Sequence, residues 1–179
     1  MTGPRLTVME AETRWLSAEE QGYWRAYIMG TTMLMERLDR ELQEAHGLSL
    51  PEYEILVRLS ESADRSLRMA TLADGMSFSR SRTTHTVKRL EDMGLIRRER
   101  IAGDGRGVAA VMTDKGWQLL VKAAPTHVTG VREHLVDQST ARDFAAMGRV
   151  FDKVADHLIA VCDEVAPEDC EPLDLRKRA

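Results

Sequence analysis

Residues 69–112 read MATLADGMSFSRSRTTHTVKRLEDMGLIRRERIAGDGRGVAAVM, and this stretch decides the fold. Its first part predicts a short helix over 69–75, and a tight turn follows over 75–79. A second helix is predicted from about residue 80 to 93, with Gly94 as its C-terminal stop. Two short helices joined by a tight turn therefore begin the segment.

The start of the second helix has two candidate caps. Ser77 and Ser79 both carry a hydroxyl that can accept a hydrogen bond from a free backbone N–H of the first turn. Val87 and Leu90 are the predicted apolar anchors on its buried side. Residues 95–100 and 108–112 then read as strands around a glycine-rich loop, which suits the tip of a hairpin.

Long helices are predicted on both sides of this segment. The pair Ser17 and Glu20 has the spacing of a capping box, and apolar residues then recur at helical spacing as far as His46. Gly47 reads as the stop, and Ser49 restarts a helix. Thr113 is the predicted cap of a later helix, and Ser139 or Thr140 begins the last one, which is expected to pack, with its neighbour, on the first helix.

The predicted fold class is mainly α with a small β-hairpin wing, a winged helix-turn-helix flanked by long N- and C-terminal helices. We expect one structural domain in four parts. They are an N-terminal arm and long helix over 1–46, a winged helix-turn-helix lobe over 47–113, C-terminal helices over 114–166 and a disordered tail over 167–179.

Charge is distributed unevenly along the chain, whose net charge is −4. Between Arg65 and Arg106 there are ten Lys and Arg against five Asp and Glu, a net charge of +5. The remainder has fifteen against twenty-four, a net charge of −9. An acidic body excludes a non-specific nucleic-acid packaging protein, whereas the basic segment can present one face to a polyanion.

Composition also indicates a compartment. The two cysteines, Cys162 and Cys170, do not form a disulfide framework or a C-x-x-C pair, which fits a reducing cytosol. We expect no secretory signal near the N-terminus and no membrane span, because no 18 consecutive apolar residues occur. The chain is therefore expected to be cytoplasmic.

The second helix of the pair has an exposed side of donors and acceptors suited to the major groove. Its members are Ser81, Thr84, His85 and Lys88, flanked by Arg80, Arg82 and Arg89. Arg and Lys can donate to guanine, Ser and Thr can meet bases or phosphates, and the helix N-terminus at Ser77 and Ser79 favours a phosphate. The alternative is an ordinary solvated charged helix face.

The hairpin tip supplies a second element. Arg106 lies between two glycines, where it can enter a narrow minor groove whose negative potential attracts a guanidinium. The alternative is that Asp104 and Arg106 brace the hairpin as an ion pair, and both roles can coexist.

With these helices and this wing in this order, the sequence resembles the MarR-type winged-helix regulators over about residues 24–159. The segments that carry the resemblance are Leu72-Ala-Asp, Ser79-Arg-Ser-Arg, Val87-Lys-Arg-Leu-Glu-Asp-Met-Gly-Leu-Ile-Arg-Arg, the Asp104-Gly-Arg wing and Met112-Thr-Asp-Lys-Gly. The resemblance implies a homodimer held by the first and last helices, a recognition helix over 79–93 and a minor-groove role for Arg106. It also implies that a small ligand often releases the DNA.

Two positions depart from the family pattern. Thr83 stands where an aliphatic residue usually faces the core, which predicts a looser or slightly re-aimed recognition helix. Gly105 stands where many relatives carry a second arginine, so one wing contact to phosphate is not expected.

No effector site, metal site or cofactor is assigned from the sequence. Trp24, Tyr27 and Tyr53, with His46, could line a cleft or belong to the core or the dimer interface. We favour the core or the dimer interface over the cleft. His127, His134 and His157 do not have the spacing of metal ligands. The motifs of a nucleophile elbow, a P-loop, a zinc protease helix or a dinucleotide site are missing, so no enzyme is expected.

The predicted function is sequence-specific binding of double-stranded DNA by a homodimer on a palindromic operator, as a repressor that responds to a small molecule. A winged helix used for protein contacts is the alternative. Such a module would be expected to carry apolar or acidic residues on the face formed by Ser81, Thr84, His85 and Lys88.

Overall fold

The computed structural model describes residues 13–76, 79–101, 103–104 and 107–165, with side chains described as far as Val161. Six helices, three strands and two single 3₁₀ turns occur in these residues. In chain order they are α1 (Ala18–His46), α2 (Leu50–Ser60), a 3₁₀ turn (Ala63–Arg65), β1 (Ser66–Arg68), α3 (Met69–Asp74), α4 (Arg80–Asp92), β2 (Ile96–Arg100), β3 (Val108–Met112), α5 (Asp114–His134), a 3₁₀ turn (Val136–Gln138) and α6 (Ala141–Val165).

Local caps set the helix bounds, as the sequence predicts. At the start of α1, the Ser17 N–H donates to Oε2 of Glu20 at 2.7 Å, and the Glu20 N–H donates to Oγ of Ser17 at 3.2 Å. These two bonds form the predicted capping box. After α1, Gly47 has φ of +67°, which glycine adopts without the steric cost that a Cβ brings. The chain can therefore turn sharply into α2.

The sheet has three antiparallel strands in the order β1-β3-β2, one more than the two-stranded hairpin expected from the sequence. The predicted hairpin is present, with Ile96 opposite Met112 and Arg100 opposite Val108. The additional strand β1 pairs Leu67 with Ala110 on the other edge of β3. Sequence reasoning treated residues 62–66 as a polar connection because a three-residue strand has no readable alternation and is defined only by its partner.

One hydrophobic core holds α2, α3, α4 and the sheet together. Its fully buried side chains come from all of these elements and include Ile55, Leu56, Leu59, Leu72, Val87, Leu90, Leu95 and Ile96. The predicted anchors of α4, Val87 and Leu90, are both among them. Thr83 is also fully buried, and its hydroxyl donates to the Ser79 carbonyl at 3.3 Å, so its polar atom is satisfied within the helix.

The helices that follow the sheet differ in how they pack. Thr113 caps α5, as predicted, by accepting the Gly116 N–H at 3.1 Å. Gly130 of α5 is buried and leaves no room for a Cβ, which would lie 2.8 Å from Cδ2 of Leu38 on α1. Thr140 caps α6, also as predicted. No side chain described between residues 141 and 161 is buried, so packing of α6 on α1 is not confirmed within a single chain.

Candidate nucleic-acid interface

Helix α4 separates a buried face from an exposed face. The buried face is formed by Thr83, Thr86, Val87 and Leu90, which fix the helix against the core. The exposed residues are Ser79, Arg80, Ser81, Arg82, Thr84, His85, Lys88 and Arg89. The predicted reading residues that the structure describes therefore lie together on solvent, whereas Ser77 lies outside the described residues.

Ser79, and not Ser77, is the cap observed for α4. Its Oγ accepts the backbone N–H of Arg82 at 3.3 Å, which satisfies one of the free donors of the first turn. The rest of that N-terminal turn remains exposed. A helix start with exposed N–H groups and a partial positive charge is suited to hold a phosphate oxygen.

Arg80 and Lys88, both predicted contact residues, have carboxylate partners within the chain. Arg80 Nη2 lies 2.7 Å from Oδ1 of Asp74 at the end of α3, and the Asp74 side chain is only 17% exposed. This pair ties the start of α4 to α3. Lys88 Nζ lies 3.2 Å from Oδ2 of Asp92 one turn away, and both side chains are more than 60% exposed. An exposed pair of this kind contributes little and can exchange for a phosphate.

The wing is braced by a residue that sequence reasoning missed. Asp104 Oδ2 accepts a hydrogen bond from Nη1 of Arg68 at 2.6 Å, and its Oδ1 accepts the Gly107 N–H at 3.0 Å. Asp104 therefore contacts Arg68 on β1 and the wing backbone at Gly107, whereas the predicted pair of Asp104 with Arg106 stays a prediction. Arg106 lies outside the described residues. No spacing rule could have found Arg68, because it lies 36 residues before Asp104.

Further cations lie on the strand that leads to the wing. Arg97, Arg98 and Arg100 of β2 are exposed, and Nε of Arg98 lies 3.1 Å from Oε2 of Glu91 on α4. This pair links the recognition candidate α4 to the wing strand. The signal in the sequence is the basic run of β2, which enters the net charge and the family resemblance but was not assigned a contact.

The aromatic residues and His46, for which the core or a dimer interface is favoured over a cleft, have the following local contacts. Trp24 and Tyr27 are 55% and 40% exposed on α1, and their rings lie 5.7 Å apart. Tyr53 is buried, and its ring centre lies 4.7 Å from that of His127 on α5. His46 Nε2 is hydrogen-bonded to Oγ1 of Thr126 at 2.8 Å. Tyr53 is therefore a core residue.

The titratable groups between α1, α2 and α5 show shifts with clear causes. Burial raises the pKa of Tyr53 and lowers the pKa of His127, whose Nδ1 is buried without a hydrogen-bond partner. The hydrogen bond from His134 lowers the pKa of Glu41, and Arg37 contributes in the same direction. In the part of the chain that the structure describes, no group of three or more His, Cys, Asp or Glu could hold a metal ion.

Comparison with known proteins points to one family. The family model described as "MarR family" matches residues 48–108. The regulator PecS of Dickeya dadantii is 29% identical over 105 residues, which span 58% of this chain and 63% of PecS, slightly less than two thirds of its length.

Two solved structures from Streptomyces coelicolor match more of the chain. Sco3205, a MarR family transcriptional regulator solved in complex with DNA, is 43% identical, with a TM-score of 0.78, over 80% of this chain and 94% of Sco3205. AbsC, a second MarR family transcriptional regulator, is 39% identical, with a TM-score of 0.77, over 82% of this chain and 98% of AbsC.

Proposed function

The chain belongs to the MarR family of transcriptional regulators, and we propose that it binds duplex DNA sequence-specifically as a homodimer on an inverted-repeat operator. The exposed face of α4 enters the major groove in this proposal. The three-stranded sheet carries the wing toward the flanking minor groove. The proposed activity is binding, and no chemical step is assigned to the site.

One observation carries the DNA-binding proposal: the side chains that can read bases share a single exposed helix face. Arg82 and Lys88 supply donors, and Ser81, Thr84 and His85 supply groups that can donate or accept. None of these residues has the apolar character of a protein-binding patch. The similarity to Sco3205, which was solved in complex with DNA, supports DNA as the partner here.

The apolar side chains of α6 support a second copy of the chain as partner. Phe144, Met147, Phe151, Val154, Leu158 and Val161 follow one another at alternating steps of three and four residues. Such a repeat forms a seam along one side of a helix and packs against another helix. Five of the six are 38–56% exposed in the single chain, which is a large apolar surface to leave in water.

Helix α1 independently presents large apolar side chains to solvent. Tyr23, Met29 and Met33 are each more than 60% exposed. A long helix with such a surface usually packs on a partner. The resemblance assigns both the first and the last helix to the dimer interface, and their exposure in one chain agrees with that assignment.

Two-fold symmetry then determines the form of the operator. The two α4 helices of a dimer enter successive major grooves, so half-site centres are expected about 10 bp apart. A dimer that covers such a site blocks access to the DNA beneath it, so we propose repression. The minor-groove role of Arg106, the phosphate role of Ser77 and response to a small-molecule effector stay predictions.

The test is selection of bound sequences from a random duplex pool with the full chain, followed by titration of the enriched sequence at two salt concentrations. We expect a palindrome whose affinity falls steeply with salt, because each neutralised phosphate releases a counterion. Failure to enrich any sequence, with only weak binding at both salt concentrations, would contradict the proposal and favour the protein-interaction alternative.

A further inference from the structure

Glu52 is a fully buried carboxylate at the start of α2. Taking a carboxylate out of water is costly unless the charge is paired or hydrogen-bonded. Its two oxygens have different surroundings, so the residue connects two parts of the fold. One of these connections reaches Arg89, which flanks the proposed DNA-reading residues on α4.

The first oxygen fixes α2. Oε2 of Glu52 accepts the backbone N–H of Ser49 at 2.8 Å and completes a capping box. The next N–H, that of Leu50, donates to Oδ1 of Asp39 on α1 at 2.7 Å. The start of α2 is therefore held both by its own cap and by α1.

The second oxygen faces α4. Oε1 of Glu52 lies 3.1 Å from Nε of Arg89 but accepts no hydrogen bond, so the contact is a charge pair. The Glu52 side chain is 1% exposed, whereas that of Arg89 is 65% exposed. A nearly dry carboxylate beside a guanidinium has little water to screen the attraction, in contrast to surface pairs such as Lys88 with Asp92.

Helix α4 is thus held by ion pairs near both ends. Asp74 holds Arg80 in its first turn, and Glu52 holds Arg89 in its last turn. Between them, the core position at Thr83 carries a small polar side chain rather than a larger aliphatic one. The pair at Arg89 therefore adds a restraint on the orientation of α4 to that of its buried side chains.

We propose that Glu52 is a positioning residue for base reading, which acts through Arg89 and does not touch DNA. Glu52 sets the positions of the Arg82, His85 and Lys88 side chains along the major groove. The proposal rests on the proposed function, since it concerns the accuracy with which the same α4 face reads DNA. Loss of the Glu52 charge lowers the preference for the operator over other sequences and leaves the attraction to phosphates unchanged.

Glu52→Gln separates the two connections. A glutamine keeps an oxygen for the Ser49 N–H, since Gln also serves in a capping box, but it removes the charge that attracts Arg89. Glu133→Gln is the matched control, because it removes the same charge from an exposed position on α5. Arg89→Met removes the other member of the pair. Because Arg89 is the exposed partner, this substitution is the less disruptive one for folding.

The experiment compares the affinity of each full-length variant for the selected operator and for a random duplex of equal length, at two salt concentrations. We expect Glu52→Gln to lower the ratio of the two affinities about tenfold, as for other coupled contacts, with an unchanged salt slope. Glu133→Gln should keep the wild-type ratio. The affinity ratio of the double variant Glu52→Gln, Arg89→Met should be no lower than that of either single variant, because both substitutions remove the same ion pair.

Three results would overturn the proposal. One is a folded Glu52→Gln protein with a lowered melting temperature and the wild-type affinity ratio, which indicates a structural role only. Another is an Arg89→Met protein that binds all sequences equally more weakly and whose slope of log affinity against log salt concentration falls by about 0.9. That result would indicate a phosphate contact by Arg89. The third is a wild-type chain without preference for any sequence, which contradicts the proposed function itself before variants are compared.

Discussion

Arg82 and His85 are the residues that we propose for base reading. Both are exposed in the first half of α4, on the side opposite the buried Val87. Replacing either one with alanine should relax the base preference by about 1–3 kcal/mol for each lost bidentate contact. Repeated selection from the random duplex pool, followed by competition binding, measures the change at each position of the half-site.

Lys122→Ala serves as the control for these two variants, because Lys122 is an exposed cation on α5 and not on α4. It should leave the base preference intact. An unaltered preference profile for Arg82→Ala and His85→Ala would remove both residues from the reading face.

We expect His127 to make the stability of the fold depend on pH. Burial lowers the pKa of His127 in the folded state. In the unfolded chain the imidazole is protonated below a pKa of about 6.5, whereas in the folded chain protonation requires a lower pH. The contribution is complete above that pKa and is lost as the pH falls through and below it. The free energy of unfolding should therefore decrease between pH 7.5 and 5.5, by at most about 1.4 kcal/mol, because only about one pH unit of this range lies below the pKa of the unfolded state.

His127→Phe tests this, since a phenyl ring keeps the contact with Tyr53 but does not titrate. Chemical unfolding at fixed protein concentration should show a smaller pH dependence for His127→Phe than for the wild type. His157→Gln, at an exposed position on α6, is the control for loss of a histidine elsewhere. Equal pH dependence in wild type and His127→Phe would show that His127 does not carry the effect.

At the scale of elements, the sequence predicted most helix and strand bounds because their signals are local. Ser17, Ser79 and Thr113 cap helices where they were expected to, and both strands of the hairpin lie within a residue of their predicted bounds. A cap depends on residues three positions apart, so a pattern in the chain is sufficient to find it. The same is true of the exposed face of α4.

The features that the sequence did not predict depend on distant partners. Strand β1 exists through its pairing with β3, and the Arg68–Asp104 brace crosses from β1 to the wing loop. The Glu52–Arg89 pair joins residues on α2 and α4. The burial of Glu52 follows from tertiary packing, which no local rule describes.

The α6 seam is the element whose role can be tested most simply. Leu158 is 56% exposed in one chain and lies in the repeat that begins at Phe144. Leu158→Glu places a charge in the proposed seam between two helices, where it would be desolvated without a partner. We expect the variant to sediment as a monomer at concentrations at which the wild type is a dimer.

Lys153→Glu is the matched control, because it lies on the same helix, outside the seam, at an exposed position. It should leave the oligomeric state unchanged. Leu158 is not a member of the buried core formed by α2, α3, α4 and the sheet, so the helix content of both variants should remain close to that of the wild type. A Leu158→Glu protein that sediments as a dimer would place the interface elsewhere.

For the whole molecule, the distribution of charge agrees with the proposed binding. The segment between Arg65 and Arg106 has a net charge of +5, whereas the rest of the chain has a net charge of −9. A long-range field of this kind orients the basic lobe toward DNA and keeps the acidic parts away from it. Within the described part of the chain, none of the helices combines the length and the hydropathy that crossing a bilayer requires.

The most direct test of the central claim, that two α4 helices of one dimer read one operator, is the affinity for an altered operator. Five base pairs inserted at the centre of the selected palindrome rotate one half-site by about half a turn, away from the face that the dimer contacts. We predict a loss of about a hundredfold or more, toward the affinity for non-specific DNA. An unchanged affinity would contradict the account, because it would mean that each half-site is bound by an independent chain.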